Sequence, residues 1–257
     1  MIHAGIALAR RLEAAEAAND ADCVGAQPAT AVETFAGGRA IFAGADSPLT
    51  RALGIGLEGA VPEAELAALE SFFRLRGARV NIDLCPLVSP ELVEMLRRRG
   101  YRPAEFAQSL VRWIAGAAPF DEDPRVERCL DAERWARVVG RGFFDQEDLS
   151  AEEMEVGLAV FRSGKSECYL ASPAGGGAGA GAALSVREGT AVLFADSTVS
   201  ASRRQGLHQA LIRARLNSAI AQGCDLAAAV TAPGSASQRN YERLGFQVAY
   251  TKVLLVG

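Results

Sequence analysis

The hexapeptide Arg203-Arg204-Gln205-Gly206-Leu207-His208 sits between two runs of different character. Ala191 to Val199 reads as a strand running into it, and Leu207, Leu211 and Leu216 mark a helix running out. A strand-to-helix turn of this kind gathers free backbone N–H groups, the positive end of a helix dipole and two arginines at one point. Glycine at 206 lets the backbone approach an anion with no Cβ in the way. Such a point binds phosphate; taken alone, the hexapeptide also fits an ordinary turn with a solvated arginine pair. Thirty-five residues after Gly206, Tyr241-Glu-Arg-Leu-Gly245-Phe246 spells Y-x-x-x-G-F, with Ser237 and Asn240 just before it on the same short helix.

Other candidates are weaker. Gly54, Gly56 and Gly59 spell G-x-G-x-x-G, the pattern of a dinucleotide-binding turn and hence of an NAD-type oxidoreductase. That turn needs a buried apolar strand directly before its first glycine, and here Asp46 to Arg51 precede it while Pro62 delays the helix, so a loop is expected. Gly175 to Gly181 reads as a mobile hairpin turn, Arg97 to Arg99 as a solvated helix end, and Asp121 to Asp123 as solvated linker. Only His3 and His208 are available for a histidine-assisted nucleophile, and zinc held by several histidines is excluded. The five cysteines, at 23, 85, 129, 168 and 224, form no C-x-x-C pair, so neither a disulfide framework nor a cysteine zinc site is expected, and a reducing cytoplasm fits best.

The 257 residues, 49% hydrophobic and 23% charged, suit a soluble globular chain with a real core. A net charge of -4 gives no overall reason to expect nucleic acid or an anionic membrane as partner. The apolar run Ile2 to Ala9 has its arginines after it, the wrong order for a secretory leader, and no stretch approaches the roughly 20 apolar residues that span a bilayer.

The elements that must position these residues follow from periodicity. Helices are expected over 5–18, from Pro62 to Gly77, from Pro90 to Arg99, over Glu127 to Val139, over Leu149 to Phe161, from Gln205 to Ala221 and over Ser237 to Leu244. Strands are expected as a hairpin around Gly37-Gly38 within Ala31 to Ala43, and at Val80 to Leu84, Phe106 to Trp113, Glu167 to Ala171, Ala182 to Val186, Thr190 to Val199, Leu226 to Thr231 and Phe246 to Val256. Gly77 ends a helix 23 residues before Gly100-Tyr101, and Gly223 does so 22 residues before Gly245-Phe246. The shared order, spacing and aromatic read as a duplicated αβαβ unit. Ala115 to Pro124, small, acidic and proline-bracketed, is the expected linker, giving domains over 1–115 and 120–257.

An arginine-glycine loop after a strand, then strand, short helix and Y-x-x-x-G-F, is similar to the pattern of the GCN5-related N-acetyltransferases, and the resemblance spans residues 125–257. Pro233 to Asn240 also resembles one of its subgroups. The first half resembles a degenerate copy: its helix opens Val61-Pro62-Glu63-Ala64-Glu65, without the loop and with an acidic start that repels pyrophosphate. The implied fold class is α/β (α+β, mixed sheet), two similar acyl-CoA N-acyltransferase folds in tandem.

The resemblance implies that acetyl-CoA, as cosubstrate and with no metal, lies in a splay between parallel strands ending near Val199 and Thr231. Its pyrophosphate takes N–H groups from Arg204, Gln205, Gly206, Leu207, His208 and Gln209, with Arg203 in the place of the family's first arginine or glutamine. Thr198, Val199 and Ser200 offer backbone groups to the pantetheine arm and polarise the thioester carbonyl. Ser200 stands where the family often has proline, and His208 where it has glycine or alanine, so cofactor affinity is where a departure is expected. Tyr241 corresponds to the family's proton donor to the leaving thiolate, and Asn240 to a residue holding the pantetheine or the short helix. No base is fixed: Asp196 is the best-placed carboxylate, with Ser197 or a water chain as alternatives. The implied acceptor is a primary amine on a small molecule or peptide, with no nucleic acid or membrane partner, acting as monomer or homodimer. The alternative is a non-catalytic acyl-CoA-binding sensor or interaction module.

Overall fold

The computed structural model describes residues 4–25 and 29–257; His3 and the start of the apolar run at Ile2 lie outside them. The chain forms two compact units, one of Met1–Ser109 with Val248–Gly257 and one of Leu110–Gln247.

In the first unit the elements are α1 (Ile6–Val24), β1 (Ala31–Phe35), β2 (Gly38–Phe42), β3 (Arg51–Leu53), α2 (Glu63–Arg74), β4 (Asn81–Leu84) and α3 (Pro90–Arg98), followed by the start of β5 (Arg102–Trp113). Its strands run β1-β2-β3-β4-β11-β5, with β11 (Gln247–Val256) supplied from the far end of the chain. Val253 to Val256 pair antiparallel with Leu84 to Asn81, so the last strand completes the first unit rather than the segment it follows.

The second unit contains β6 (Val126–Arg128), α4 (Ala132–Phe144), α5 (Ala151–Arg162), β7 (Ser166–Ala171), β8 (Ala180–Arg187), β9 (Thr190–Thr198), α6 (Leu207–Ala221), β10 (Leu226–Thr231) and α7 (Ala236–Arg243). Its order is β6-β7-β8-β9-β10-β5, with β6 to β9 antiparallel and β9 parallel to β10 through the α6 crossover. The expected duplication is present in the topology: β3-α2-β4 is a parallel crossover like β9-α6-β10, and each is followed by a helix and a strand.

Two local expectations need correction. The helix expected from Glu127 begins at Ala132, because Asp131 caps it by accepting from the Arg134 N–H, and Val126–Arg128 instead pairs with β7. The strand missing from the expectation is β3, whose fully buried Ala52 and Leu53 run straight into Gly54. The glycine-rich turn therefore does follow a buried strand, yet its middle glycine is packed against side chains. A Cβ at Gly56 would meet Leu92 Cδ2 at 2.5 Å and Val61 Cγ2 at 3.1 Å. Glu63 and Glu65 occupy the first turn of α2, and the Glu65 carboxylate accepts from the Ala36 N–H. Side chains therefore fill the turn at Gly56, and the helix start that follows it carries carboxylates.

The second unit packs α4 and α6 on its sheet. Trp135 is fully buried, its Nε1–H shared between the carbonyls of Tyr169 and Ala182, 3.2 Å from each. Gly142 on α4 lies against the end of β9: a Cβ there would be 2.1 Å from Ser197 Oγ and 2.9 Å from the Thr198 backbone. Backbone cannot yield as a side chain does, so Gly142→Ala should lower the unfolding free energy by about 1–3 kcal/mol. An unchanged urea midpoint for that variant would show that α4 and β9 are not held this closely.

Candidate active site

The register of β9 with β10 runs from Thr190↔Leu226 to Leu193↔Ala229 and ends there. Just beyond, Ala195 takes φ 55°, and the register of β9 on β8 shifts between Gly181 and Ala183. Beyond this bulge Ser197 and Thr198 still pair with β8 but no longer with β10, so the two strands are splayed here.

After the splay the chain makes a tight turn at Ser200–Ser202 and reaches the arginines. Arg204 takes φ 66° and Gly206 φ 76°, and α6 begins at Leu207 with no side chain capping it. The first bond of the helix runs from the Ala210 N–H to the Gly206 carbonyl, which leaves the earlier N–H groups of the turn for an anion. Arg203 donates from Nε to the Thr198 carbonyl at 3.2 Å, and its Nη2 lies 3.2 Å from Asp145 Oδ1, which also accepts from the Ser200 hydroxyl. Arg204 is exposed and pairs with no described residue. These groups border a cleft of about 740 Å³, to which α7 adds Arg239 and Arg243. With four arginines on its rim, the cleft suits an elongated polyanion.

At the cleft floor the polar groups are interlocked. Arg215, on the same face of α6 as Leu207 and Leu211, is fully buried and satisfies its donors on Leu211 O at 3.1 Å, Ala183 O at 3.0 Å, Phe194 O at 3.3 Å and Asp196 Oδ1. Tyr241 is fully buried and donates its hydroxyl to Asp196 Oδ2 at 2.6 Å. Burial pushes the Asp196 pKa up, but the Arg215 guanidinium, then His208, and hydrogen bonds overcome it and hold the carboxyl well below the usual range. Burial also keeps the Tyr241 phenol protonated, its pKa raised well above the ordinary value despite Arg215.

His208 Nε2 stands 3.1 Å from Asp196 Oδ1, and its ring packs edge-on to Tyr241 at 5.6 Å. Asn240 sets the role of Nδ1. Arg243 and Gln209 can only donate to its Oδ1, at 3.2 and 3.1 Å, so its Nδ2 donates to His208 Nδ1 at 3.1 Å, which leaves Nε2 buried beside Asp196 but not aligned for a hydrogen bond.

The cleft thus brings together Asp196, Ser197, Thr198, Arg203, Arg204, Gly206, Leu207, His208, Gln209 and Asn240. Val199, Ser200, Gln205 and Tyr241 stand behind or beside its wall. Sequence reasoning passed over Arg215, Asp145, Arg239 and Arg243. Arg215 carried a visible signal, a charge on the Leu207–Leu211 stripe of an otherwise apolar helix face. Among the described residues no group of three or more His, Cys, Asp or Glu is placed to hold a metal ion, and no helix is long and apolar enough to cross a membrane. All five cysteines are buried and none is in a disulfide.

No protein-family model and no curated protein matches the sequence. Solved structures do. A GCN5-related N-acetyltransferase from Kribbella flavida is 18% identical with a TM-score of 0.70, the match covering 97% of this chain and 95% of that one. A tandem GNAT protein from the clavulanic acid biosynthesis pathway is 15% identical with a TM-score of 0.62, over 100% and 96% of the two chains. At these identities the likeness is one of fold, and it spans both halves: the chain carries the tandem fold of the GCN5-related N-acetyltransferases.

Proposed function

We propose that the chain is an acetyl-CoA-dependent N-acetyltransferase whose one cofactor site is the cleft of the second unit. The observation that carries this reading is the uncapped start of α6, with left-handed Arg204 and Gly206, opening directly onto the splayed end of β9. The N–H groups at 204–209 and the rim arginines receive the diphosphate. The freed edge of β9 at Asp196 to Thr198 lies alongside the pantetheine arm, its amides available to the thioester carbonyl. When bound, acetyl-CoA supplies an activated acyl group to a primary amine, and its thiol leaves.

Tyr241 and Asp196, expected as acid and base, are hydrogen-bonded to each other, and the Asp196 charge is balanced by Arg215. In this state they tie the end of β9 to α6 and α7, and His208 stands beside them on the cleft wall. That arrangement also favours a second reading, a sensor that binds acyl-CoA without turnover. Thiol release across a panel of primary amines separates the two, since a sensor releases none.

Calorimetric titration with acetyl-CoA tests the site itself. The double variant Arg204→Glu, Gly206→Asp puts two carboxylates where the diphosphate is to sit and adds a Cβ at a left-handed position, so binding should fall at least a hundredfold. Unchanged binding in that variant would remove the assignment of the loop.

A further inference from the structure

The anion loop is held from outside as well as from its own turn. Arg125, just before β6, lies outside the cleft wall and is clamped by Asp123. Its Nε donates to Asp123 Oδ1 at 2.9 Å and its Nη2 to Oδ2 at 2.7 Å, a two-pronged pair within one short turn. The Arg125 N–H also donates to Asp123 Oδ1 at 3.1 Å. The pairing holds the Asp123 carboxyl down at a pKa of about 2, with the hydrogen bonds from Arg125 as the largest cause. The remaining terminal nitrogen, Nη1, donates to the carbonyl of Gln205 at 2.9 Å. The strand edge fixes the base of this brace, since the Ser172 N–H donates to the Arg125 carbonyl at 3.0 Å.

Gln205 is where the loop has most freedom to go wrong. It lies between two left-handed residues, Arg204 and Gly206, and the peptide joining 205 to 206 can rotate as a unit between turn types. In a planar trans peptide the C=O of Gln205 and the N–H of Gly206 point in opposite directions. A guanidinium holding that carbonyl on the outer side therefore directs the Gly206 N–H to the other side. Arg125 Nη2 would be 3.9 Å from a Cβ placed on Gly206, so the guanidinium lies beside this peptide.

We propose that Arg125, anchored by Asp123, is a positioning residue that presets the 205–206 peptide of the anion loop for a diphosphate. This rests on reading the loop as the acyl-CoA site. The group recognised is the diphosphate of an acyl-CoA, and Arg125 acts on it through the orientation of the Gln205 carbonyl rather than by touching it.

Three variants test this by calorimetry and, where turnover is present, by kinetics. Arg125→Met should weaken acetyl-CoA binding about tenfold, the cost of one charge-assisted hydrogen bond, with KM rising in step and kcat staying within about twofold. Arg125→Lys keeps the charge but lacks the planar fork, so it should lose most of the same affinity. Asp123→Asn should weaken binding about threefold, because the guanidinium stays but loses its clamp. The slope of affinity against salt should be the same in Arg125→Met as in the parent, because no phosphate contact is removed.

Full affinity in Arg125→Lys together with a shallower salt slope in Arg125→Met would overturn the proposal in favour of a direct charge contact. A kcat loss with KM unchanged would overturn it as well, and so would parental affinity in a folded Arg125→Met protein. The two levels fail differently: no acetyl-CoA binding by the parent protein removes the functional reading, whereas parental binding unaffected by Arg125→Met removes only the brace.

Discussion

Asp196→Asn should destabilise the protein by about 3–5 kcal/mol, lowering its thermal midpoint by roughly 10 °C, although the replacement is nearly isosteric. The cost comes from Arg215. That guanidinium is fully buried, and Asp196 is the one anion among its hydrogen-bond acceptors, the others being three carbonyls and the Tyr241 hydroxyl. Neutralising Asp196 leaves a desolvated cation without a counter-charge and removes the acceptor of the Tyr241 proton. Arg215→Met alone should cost a similar amount for the mirror-image reason, a carboxylate left in a buried site. Combining the two should recover most of the loss, because a buried pair exchanged for groups of like volume is often close to neutral. The measurement is a double-mutant cycle in urea. Additive losses in the double variant would show that the two groups do not depend on one another.

The same cluster shows what could be read from the residues and what could not. The turn at 203–208 was legible because its shape is set by backbone: strand periodicity before it, helix periodicity after it, and a glycine at the left-handed step all leave marks in local sequence. The fold class was legible for the same reason, since α6, β10 and α7 each have clean starts and stops. The partner of Tyr241 was not. Its hydroxyl meets a carboxylate 45 residues earlier, and whether it faces the cleft or the core depends on how α7 lies against β9. Short pairing strands were also missed: three-residue β3 and β6 have too few positions to show alternation and exist through their neighbours. The last strand was found, but the αβαβ order around it does not say that β4 is its partner, because strand pairing at that range leaves no local trace.

The first unit offers the second large effect, at Lys252. Its ammonium is fully buried on β11, 2.6 Å from Glu16 Oε2, 3.1 Å from Asp83 Oδ2 and 3.6 Å from Glu13 Oε1. Arg51 faces Asp20 at 2.7 Å, Asp83 at 3.3 Å and Glu16 at 3.4 Å, and Tyr250 donates to Glu13 at 2.7 Å. Four carboxylates therefore share two cations in a largely buried site, with the Arg51 side chain still 24% exposed, and the excess of negative charge favours a bound proton. Glu16 holds it: burial pushes its pKa up, Lys252 and Arg51 pull it back, Glu13 and Asp83 push again, and the result is about 7 against an ordinary 4.5. Between those two values the folded chain keeps a proton that the unfolded chain has released. This contribution to stability is present in full below pH 4.5 and is lost as pH rises through 7, a change of about 3 kcal/mol. Glu16→Gln, which carries the neutral form permanently, should be less stable than the parent protein by a margin that shrinks, or reverses, between pH 5 and pH 8. Lys252→Met should behave in the opposite sense. With one cation left for four carboxylates it should cost about 3–5 kcal/mol, and more at pH 8, where Glu16 is ionised, than at pH 5. Urea unfolding of the three proteins across that range measures both slopes. A pH-independent difference between parent and Glu16→Gln would mean that Glu16 is not the group holding the proton.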